Sequence, residues 1–236
     1  MASSVGPSNK LKISFMADNV PWARRILGSL DEEQNKILRT TALNEIARSI
    51  SIKLKLYYYI VGEINHTIDS IKIVLSENSD QLDLLMHNNQ AFDFPKYELI
   101  YRTLFLIESL FINMKTILDL LKKYATVFER NVLGNITYKY KFPAGSLREL
   151  EKIRDDFIHN YSGWPFFRKI NEKFVLELEL VPDIQRTGRH KITKTRTLNT
   201  NNINEIINEF TRYYSDLTEN LKLRSAGNTQ KNSIVI

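Results

Sequence analysis

The sequence predicts a mainly α-helical protein, a bundle of about four principal helices with a β-hairpin inserted before the last helix. Long segments without proline hold apolar residues at helical spacing, and the 236 residues include only 8 Gly and 6 Pro. A pair of segments with period-two alternation supplies the hairpin. We expect one helical domain over residues 13–224, between a flexible N-terminus at 1–12 and a flexible tail at 225–236.

The first long helix is expected to begin at Asp31, where the carboxylate and Gln34 resemble a capping box, and to extend to Leu75. A break near residues 49–51 is the alternative to one continuous helix. Apolar residues at helical spacing predict the buried face: Ile46, Ile50, Leu54, Tyr57, Val61, Ile64, Ile68 and Ile71.

The second helix is expected from Pro95 to Arg130, since proline suits a first helical turn. Its apolar face is wide, which is typical of a helix at the centre of a bundle. The residues expected on that face are Leu99, Phe105, Leu106, Leu110, Phe111, Met114, Ile117, Leu118 and Leu121.

A third helix should begin at Ser146, because Ser146 and Glu149 form a capping box after a Pro-Ala-Gly break. We expect it to run towards His159, and we expect Gly163 and Pro165 to end it.

The β-hairpin is predicted at about 172–198, with alternating arms at 174–180 and 191–197 and a turn at Thr187-Gly188. The last helix follows, with Asn202 and Glu205 placed to cap it. Its predicted buried residues are Ile203, Ile206, Ile207, Phe210, Tyr213, Leu217 and Leu221.

Composition narrows the class of protein. The chain has no cysteine, which excludes disulfides and thiolate metal sites. The most apolar run, Leu104 to Met114, is short and contains Glu108, so we expect no membrane segment. The N-terminus lacks the pattern of a secretory signal, and we expect a cytoplasmic protein. A net charge of +6 permits a nucleic-acid partner without requiring one.

Several common catalytic signatures are missing from the sequence. We find no HExxH metal motif, no Gly-rich phosphate loop and no GxSxG nucleophile motif. Three of the four histidines, His66, His87 and His190, have surroundings typical of a structural or surface role. We therefore expect neither a metal nor a cofactor.

One segment has a chemically informative spacing. Arg154 and Asp155 are followed by His159, and Tyr161 lies two residues further on. This R-x4-H-x-Y pattern resembles the HEPN superfamily, whose motif is an arginine, often followed directly by a polar residue, and then a histidine. The form with tyrosine resembles the HepT-like toxins. The expected four-helix layout, with the motif helix next to last, agrees with the family.

The resemblance implies an endoribonuclease that needs no metal and acts as a toxin or phage-defence effector, in which Arg154 and His159 are catalytic and Asp155 supports them. It also implies that a partner nucleotidyltransferase, acting as antitoxin, modifies Tyr161 with AMP. The chemistry is coherent, because an imidazole transfers protons near neutral pH and a guanidinium holds phosphate oxygens. On a straight helix Asp155 and His159 would share one face, so the carboxylate would orient the ring.

Geometry predicts that the working unit is a homodimer. Arg154 and His159 would lie about 140° apart on one straight helix, so two motif helices side by side are needed to form one cleft. Two alternatives remain open. One is a non-catalytic HEPN-like module that forms dimers or binds nucleotides, and the other is a buried Arg154–Asp155 ion pair that closes a helix end with only a structural role.

The predicted hairpin holds the densest basic cluster of the chain. We predict that it contacts RNA phosphates through Arg186, Arg189, Lys191, Lys194 and Arg196. An alternative of equal weight is that Glu177 and Glu179 lie across the hairpin and pair with Lys194 and Arg196.

Overall fold

The computed structural model describes residues 42–77, 97–132, 146–155, 161–170, 173–182 and 196–232, together with Leu11, Glu32 and Lys36. In chain order these residues form α1 (Ala42–Glu77), α2 (Tyr97–Val132), α3 (Ser146–Asp155), β1 (Tyr161–Ile170), β2 (Lys173–Pro182), β3 (Arg196–Asn199) and α4 (Thr200–Asn232). The mainly α-helical class, with four principal helices and an antiparallel hairpin before the last one, is confirmed.

Helix α1 buries the face that its apolar spacing predicts. All eight predicted residues are at most 8% exposed. The alternative of a break near residues 49–51 is wrong, because the helix is continuous there. The hydroxyl of Ser51 donates to the carbonyl of Ala47 at 2.9 Å, so this serine is satisfied within the helix. The predicted start at Asp31 lies outside the described residues, although Glu32 and Lys36 are helical.

Helix α2 confirms most of its predicted apolar face but not Phe105. Eight of the nine residues assigned to that face are buried or half-buried, whereas 67% of Phe105 is exposed. Phe105 lies one helical turn after Tyr101, which is 57% exposed, and so it belongs to the outer face of the helix. Widening the apolar stripe to include it was therefore wrong. Pro95 lies outside the described residues.

Helix α3 begins at Ser146, as the capping box predicts, and its described part ends at Asp155. Gly163 and Pro165 were expected to terminate this helix, and that expectation was wrong because both lie within strand β1. Strand β1 stands at one end of the described strand order, where a proline without an N–H need not interrupt a ladder.

The sheet has three antiparallel strands in the order β1-β2-β3. Strand β2 contains the predicted first arm of the hairpin. Of the predicted second arm at 191–197, residues 196 and 197 lie in β3, and the others lie outside the described residues, as does the connection. Their register places Arg196 opposite Leu180 and Thr197 opposite Glu179. Arg196 was expected to pair with a glutamate of β2. In the observed register it lies one position away from Glu179, and a shift of one residue places the two side chains on opposite faces of the sheet.

Helix α4 begins with a reciprocal pair of hydrogen bonds between two asparagines. The N–H of Asn202 donates to Oδ1 of Asn199 at 3.0 Å, and the N–H of Asn199 donates to Oδ1 of Asn202 at 3.2 Å. Asn199 is thus the N-cap, and Asn202, which we predicted as the cap, is its partner three residues later. The helix extends to Asn232, beyond the predicted boundary at 224.

We expect Asn199→Ala to lower the free energy of unfolding by about 0.5–2 kcal/mol, because the first turn of α4 loses its side-chain acceptor. Chemical denaturation monitored by circular dichroism measures the change. Asn208→Ala is the matched control, since Asn208 is exposed inside the same helix. Equal stability of the two variants would show that the Asn199–Asn202 pair does not stabilise the helix.

The chain divides into two compact units. One unit consists of Met1–Lys12, Tyr59–Phe111 and Lys152–Glu205. In this unit Arg102 of α2 forms an ion pair with Glu63 of α1, and the side-chain amide of Asn65 bonds both backbone groups of Leu11, at 2.9 and 3.0 Å. Its buried apolar residues include Ile64, Ile68, Ile71, Ile100, Ile107, Leu110, Phe111, Ile153, Leu178 and Leu198.

The other unit consists of Ile13–Tyr58, Ile112–Glu151 and Ile206–Ile236. Aromatic rings occupy its core: Tyr57 packs against Phe210 with ring centroids 5.3 Å apart, and Tyr124 stacks on Phe128. The Nδ2 atom of Asn113 donates to the carbonyl of Lys53 at 2.8 Å and ties α2 to α1. One domain over residues 13–224 stays a prediction.

Candidate active site

Helix α3 positions the motif arginine. Leu150 and Ile153 are fully buried and lie three residues apart, so they hold one face of the helix against the protein. The carboxylate of Glu151 accepts an ion pair from Lys115 of α2 at 3.2 Å, and the same ammonium contacts Asp119 at 2.6 Å. These contacts fix the short helix whose last turn contains Arg154.

Arg154 and Asp155 form an ion pair at the end of this helix. Nη1 of Arg154 lies 2.5 Å from Oδ1 of Asp155, and the two side chains are 36% and 52% exposed. An arginine in the last turn also interacts favourably with the helix dipole, whereas an aspartate there does not. The pair that the structural alternative predicts is thus present, but it is open to solvent rather than buried.

The guanidinium keeps capacity for another ligand. Arginine has five N–H donors, and the contact with Asp155 uses one of its nitrogens. A phosphate approaching from solvent can bond the remaining donors in a bidentate manner. Arg154 is therefore placed to bind an anion while it stays anchored by Asp155.

The other motif residues are less fully defined. His159 lies outside the described residues, so its predicted pairing with Asp155 stays a prediction. Tyr161 is the first residue of β1 and lies opposite Pro182 in the register. The predicted helix face shared by Asp155 and His159 requires α3 to continue past Asp155, where its described part ends.

Four of the five basic residues predicted to contact RNA lie outside the described residues. Arg186, Arg189, Lys191 and Lys194 lie outside the described residues, and Arg196 opens strand β3. Within the described ranges, no group of three or more His, Asp or Glu side chains is placed to hold a metal ion. None of the helices in this part of the chain is long and apolar enough to cross a membrane.

The run Tyr57-Tyr58-Tyr59 divides between core and surface. Tyr57 is fully buried, whereas Tyr59 is 62% exposed. Sequence reasoning also missed the exposed ring of Phe105, because an apolar stripe alone does not show how wide the buried face is. Tyr59 and Phe105 are therefore exposed aromatic rings outside the motif.

Comparison of the chain with family models, curated protein sequences and solved structures found no match.

Proposed function

We propose that this protein is a HEPN-type endoribonuclease that cleaves RNA without a metal, acting in the cytoplasm as a toxin or phage-defence effector. The observation that supports it best is the partly exposed side chain of Arg154, held by Asp155 at the end of a helix with a buried apolar face. A purely structural ion pair gains little at such an exposed position, so it gives a weak reason for this pair of residues.

In the proposed reaction the 2′-oxygen of RNA attacks the adjacent phosphorus, and the bond from phosphorus to the 5′-oxygen breaks. His159 accepts the proton of the 2′-hydroxyl, and the imidazolium so formed gives a proton to the leaving 5′-oxygen. Arg154 bonds the non-bridging phosphate oxygens as negative charge develops on them. The products are a 2′,3′-cyclic phosphate and a 5′-hydroxyl.

Asp155 has a positioning role in this proposal. Its contact with Nη1 fixes the orientation of the guanidinium before substrate arrives. A fixed donor loses less conformational freedom when phosphate binds than a free side chain does. The carboxylate also limits the local positive charge when two copies of the motif approach each other in a homodimer.

The composite cleft requires two copies of the chain, with Arg154 and His159 of both copies facing one RNA strand. The hairpin residues Arg189 and Lys191 would contact the RNA backbone beyond the cleft. A nucleotidyltransferase that attaches AMP to Tyr161 would silence the toxin, because the added phosphate brings negative charge next to the site.

We expect cleavage of total RNA to persist in EDTA, because the reaction uses the guanidinium and imidazole rather than a bound cation. The purified full chain is incubated with RNA in EDTA. The 3′ ends of the products should accept ligation only after acid has opened the cyclic phosphate and phosphatase has removed the resulting monophosphate, and not after phosphatase alone. Cleavage that EDTA abolishes and magnesium restores would contradict the mechanism.

A non-catalytic HEPN-like module that forms dimers or binds nucleotides is the second candidate. It is favoured by the same Arg154–Asp155 contact, since the donors that this contact leaves on the guanidinium can bond the phosphate of a nucleotide as well as that of an RNA strand. The two candidates differ in one result. An intact chain that binds RNA or nucleotides but leaves every RNA uncut supports the module.

A further inference from the structure

Three aromatic side chains form an exposed surface in the unit that contains Tyr59–Phe111. Tyr59, Tyr101 and Phe105 are 62%, 57% and 67% exposed, and we call these three residues the aromatic surface. Ile73 is the fourth large apolar side chain that is exposed in the described part of this unit. Three of these four exposed side chains are therefore aromatic, and they lie near one place along α1 and α2, whereas Ile73 lies about four turns further along α1.

The residues of the aromatic surface lie on two helices that one ion pair joins. Tyr101 and Phe105 are neighbours four residues apart on α2. The ion pair between Arg102 and Glu63 joins α2 to α1 beside them. Tyr59 lies one turn before Glu63, Tyr101 directly precedes Arg102, and Phe105 lies one turn after Arg102, so each of the three residues is within one helical turn of this ion pair.

The charge around the aromatic surface is opposite to that of the whole chain. The chain has a net charge of +6. Next to the rings, however, stand Glu63, Glu98 and Glu108, of which Glu98 is exposed, with Arg102 as the opposing cation. Including Lys55, one turn before Tyr59 on α1, acidic residues still outnumber basic ones by three to two.

Exposed aromatic rings beside an excess of carboxylates favour a partner with particular chemistry. Clustered exposed aromatic rings are typical of binding surfaces, where they supply most of the binding energy. A guanidinium is attracted to the face of a tyrosine or phenylalanine ring and pairs with a carboxylate at its edge. Phosphate groups, in contrast, are repelled by an excess of carboxylates, so nucleic acid does not suit this surface.

We propose that the aromatic surface docks a basic, arginine-bearing segment of a partner protein. Arginine side chains lie on the rings of Tyr59 and Phe105, and Glu98 and Glu108 pair with further cations at the rim. The surface therefore serves protein recognition, a function separate from the proposed cleavage of RNA.

The test uses the full chain and a fluorescein-labelled amphipathic helical peptide of leucine and arginine. A second peptide has every arginine replaced by glutamate. We expect fluorescence anisotropy to show binding of the arginine peptide alone. Phe105→Ser and Tyr59→Ser should each weaken it by about tenfold, and Glu98→Lys should also weaken it.

Ile73→Ser is the matched control, since it removes an exposed apolar side chain of the same unit outside the aromatic surface. It should leave the affinity for the arginine peptide unchanged. Thermal unfolding of each variant checks that the substitution acts on the surface and not on folding, because all of these positions are exposed.

Three results would overturn the proposal. The first is that the arginine peptide does not bind the full chain, and the second is that it binds Phe105→Ser and Ile73→Ser equally well. The third is sedimentation showing a dimer that Phe105→Ser dissociates, because a second copy of the chain is then the occupant. Cleavage of RNA should be the same in Phe105→Ser and in the unaltered chain, so failure of this proposal is distinguishable from failure of the ribonuclease.

Discussion

Alanine at Arg154 or at His159 should lower the rate of RNA cleavage by about 10²–10³-fold, the effect of removing one group that stabilises transition-state charge or transfers a proton. Arg154→Ala removes the guanidinium of a partly exposed side chain at the end of α3. His159→Ala removes the group to which the proposal assigns proton transfer. The measurement is the initial rate of cleavage of a labelled RNA by equal amounts of each purified chain.

Matched controls separate catalysis from general surface effects. Arg212→Ala and His66→Ala make the same two substitutions at exposed residues of α4 and α1. Both controls should cleave at the rate of the unaltered chain. If Arg154→Ala and Arg212→Ala cleave equally fast, Arg154 does not contact the reacting phosphate and the ribonuclease proposal fails.

Mixing the two variants tests whether one cleft uses residues from two copies of the chain. Where one cleft draws Arg154 from one copy and His159 from another, a mixture of the Arg154→Ala and His159→Ala chains contains heterodimers with one complete cleft. The mixture should then regain part of the lost rate. Sedimentation that shows a monomer which still cuts RNA would contradict the composite site, although not the roles of the two residues.

The spacing of apolar residues predicted the long helices because a helix repeats every 3.6 residues and buries one face. Residues three or four apart lie on that face and are therefore apolar. Every predicted inward residue of α1, from Ile46 to Ile71, is buried. The repeat does not define where a buried face ends, and Phe105 shows this limit. It lies at the edge of a wide apolar stripe, and the packing of neighbouring elements left it in solvent.

Strand β1 was missed for a different reason. Gly163 and Pro165 usually end regular structure, and we took them to end a helix. In the fold they lie on a strand that pairs with β2 over its full length, from Tyr161 opposite Pro182 to Ile170 opposite Lys173. An end strand tolerates a proline that a central strand would not, and strand order is a property of the fold that local sequence does not encode.

In the candidate site, too, features set by neighbouring residues were predicted from the sequence, whereas features set by the surrounding fold were not. The capping box at Ser146 predicted where α3 begins. The contact between Arg154 and Asp155 followed from adjacent residues of opposite charge, whereas its exposure depends on what surrounds the helix end. The motif gives the kinds of side chain present, but their relative orientation depends on backbone geometry after residue 155.

We expect Tyr57→Ala to lower the free energy of unfolding by about 3–5 kcal/mol, the usual effect of removing a buried aromatic ring. Tyr57 is fully buried on α1. Its ring contacts Phe210 of α4 at 5.3 Å and Tyr58 at 5.5 Å between centroids. Truncation leaves a cavity beside Phe210 that neighbouring helices fill only partly. Urea denaturation at neutral pH measures the loss.

Tyr57→Phe is the matched variant and should behave in the opposite way. The hydroxyl of Tyr57 is buried and has no hydrogen-bond partner in the described part of the chain. The hydroxyl of Thr211 lies nearby and donates to the carbonyl of Ile207 at 2.8 Å, and its interaction with the Tyr57 hydroxyl falls short of hydrogen-bond geometry. Removing an unsatisfied hydroxyl while keeping the ring should leave stability unchanged or raise it by about 1 kcal/mol.

The two variants also differ in their response to high pH. Burial raises the pKa of Tyr57 well above its ordinary value of 10.0, and burial likewise raises the pKa of Tyr124 and of Tyr213. Above pH 10 the unfolded chain therefore loses tyrosine protons that the folded chain retains, and the free energy of unfolding falls as pH rises. Each such tyrosine contributes a slope of up to about 1.4 kcal/mol per pH unit.

Tyr57→Phe should accordingly make this alkaline decline shallower by up to that slope, while its stability below about pH 9 follows the neutral-pH result. Tyr59→Phe removes a hydroxyl from an exposed ring and serves as the reference, so the difference between the two variants measures the effect of burial. Denaturation curves collected from neutral pH to strongly alkaline pH test this directly. Identical declines for Tyr57→Phe and Tyr59→Phe would mean that the Tyr57 hydroxyl ionises in the folded chain as readily as in the unfolded one, which its burial against Phe210 forbids.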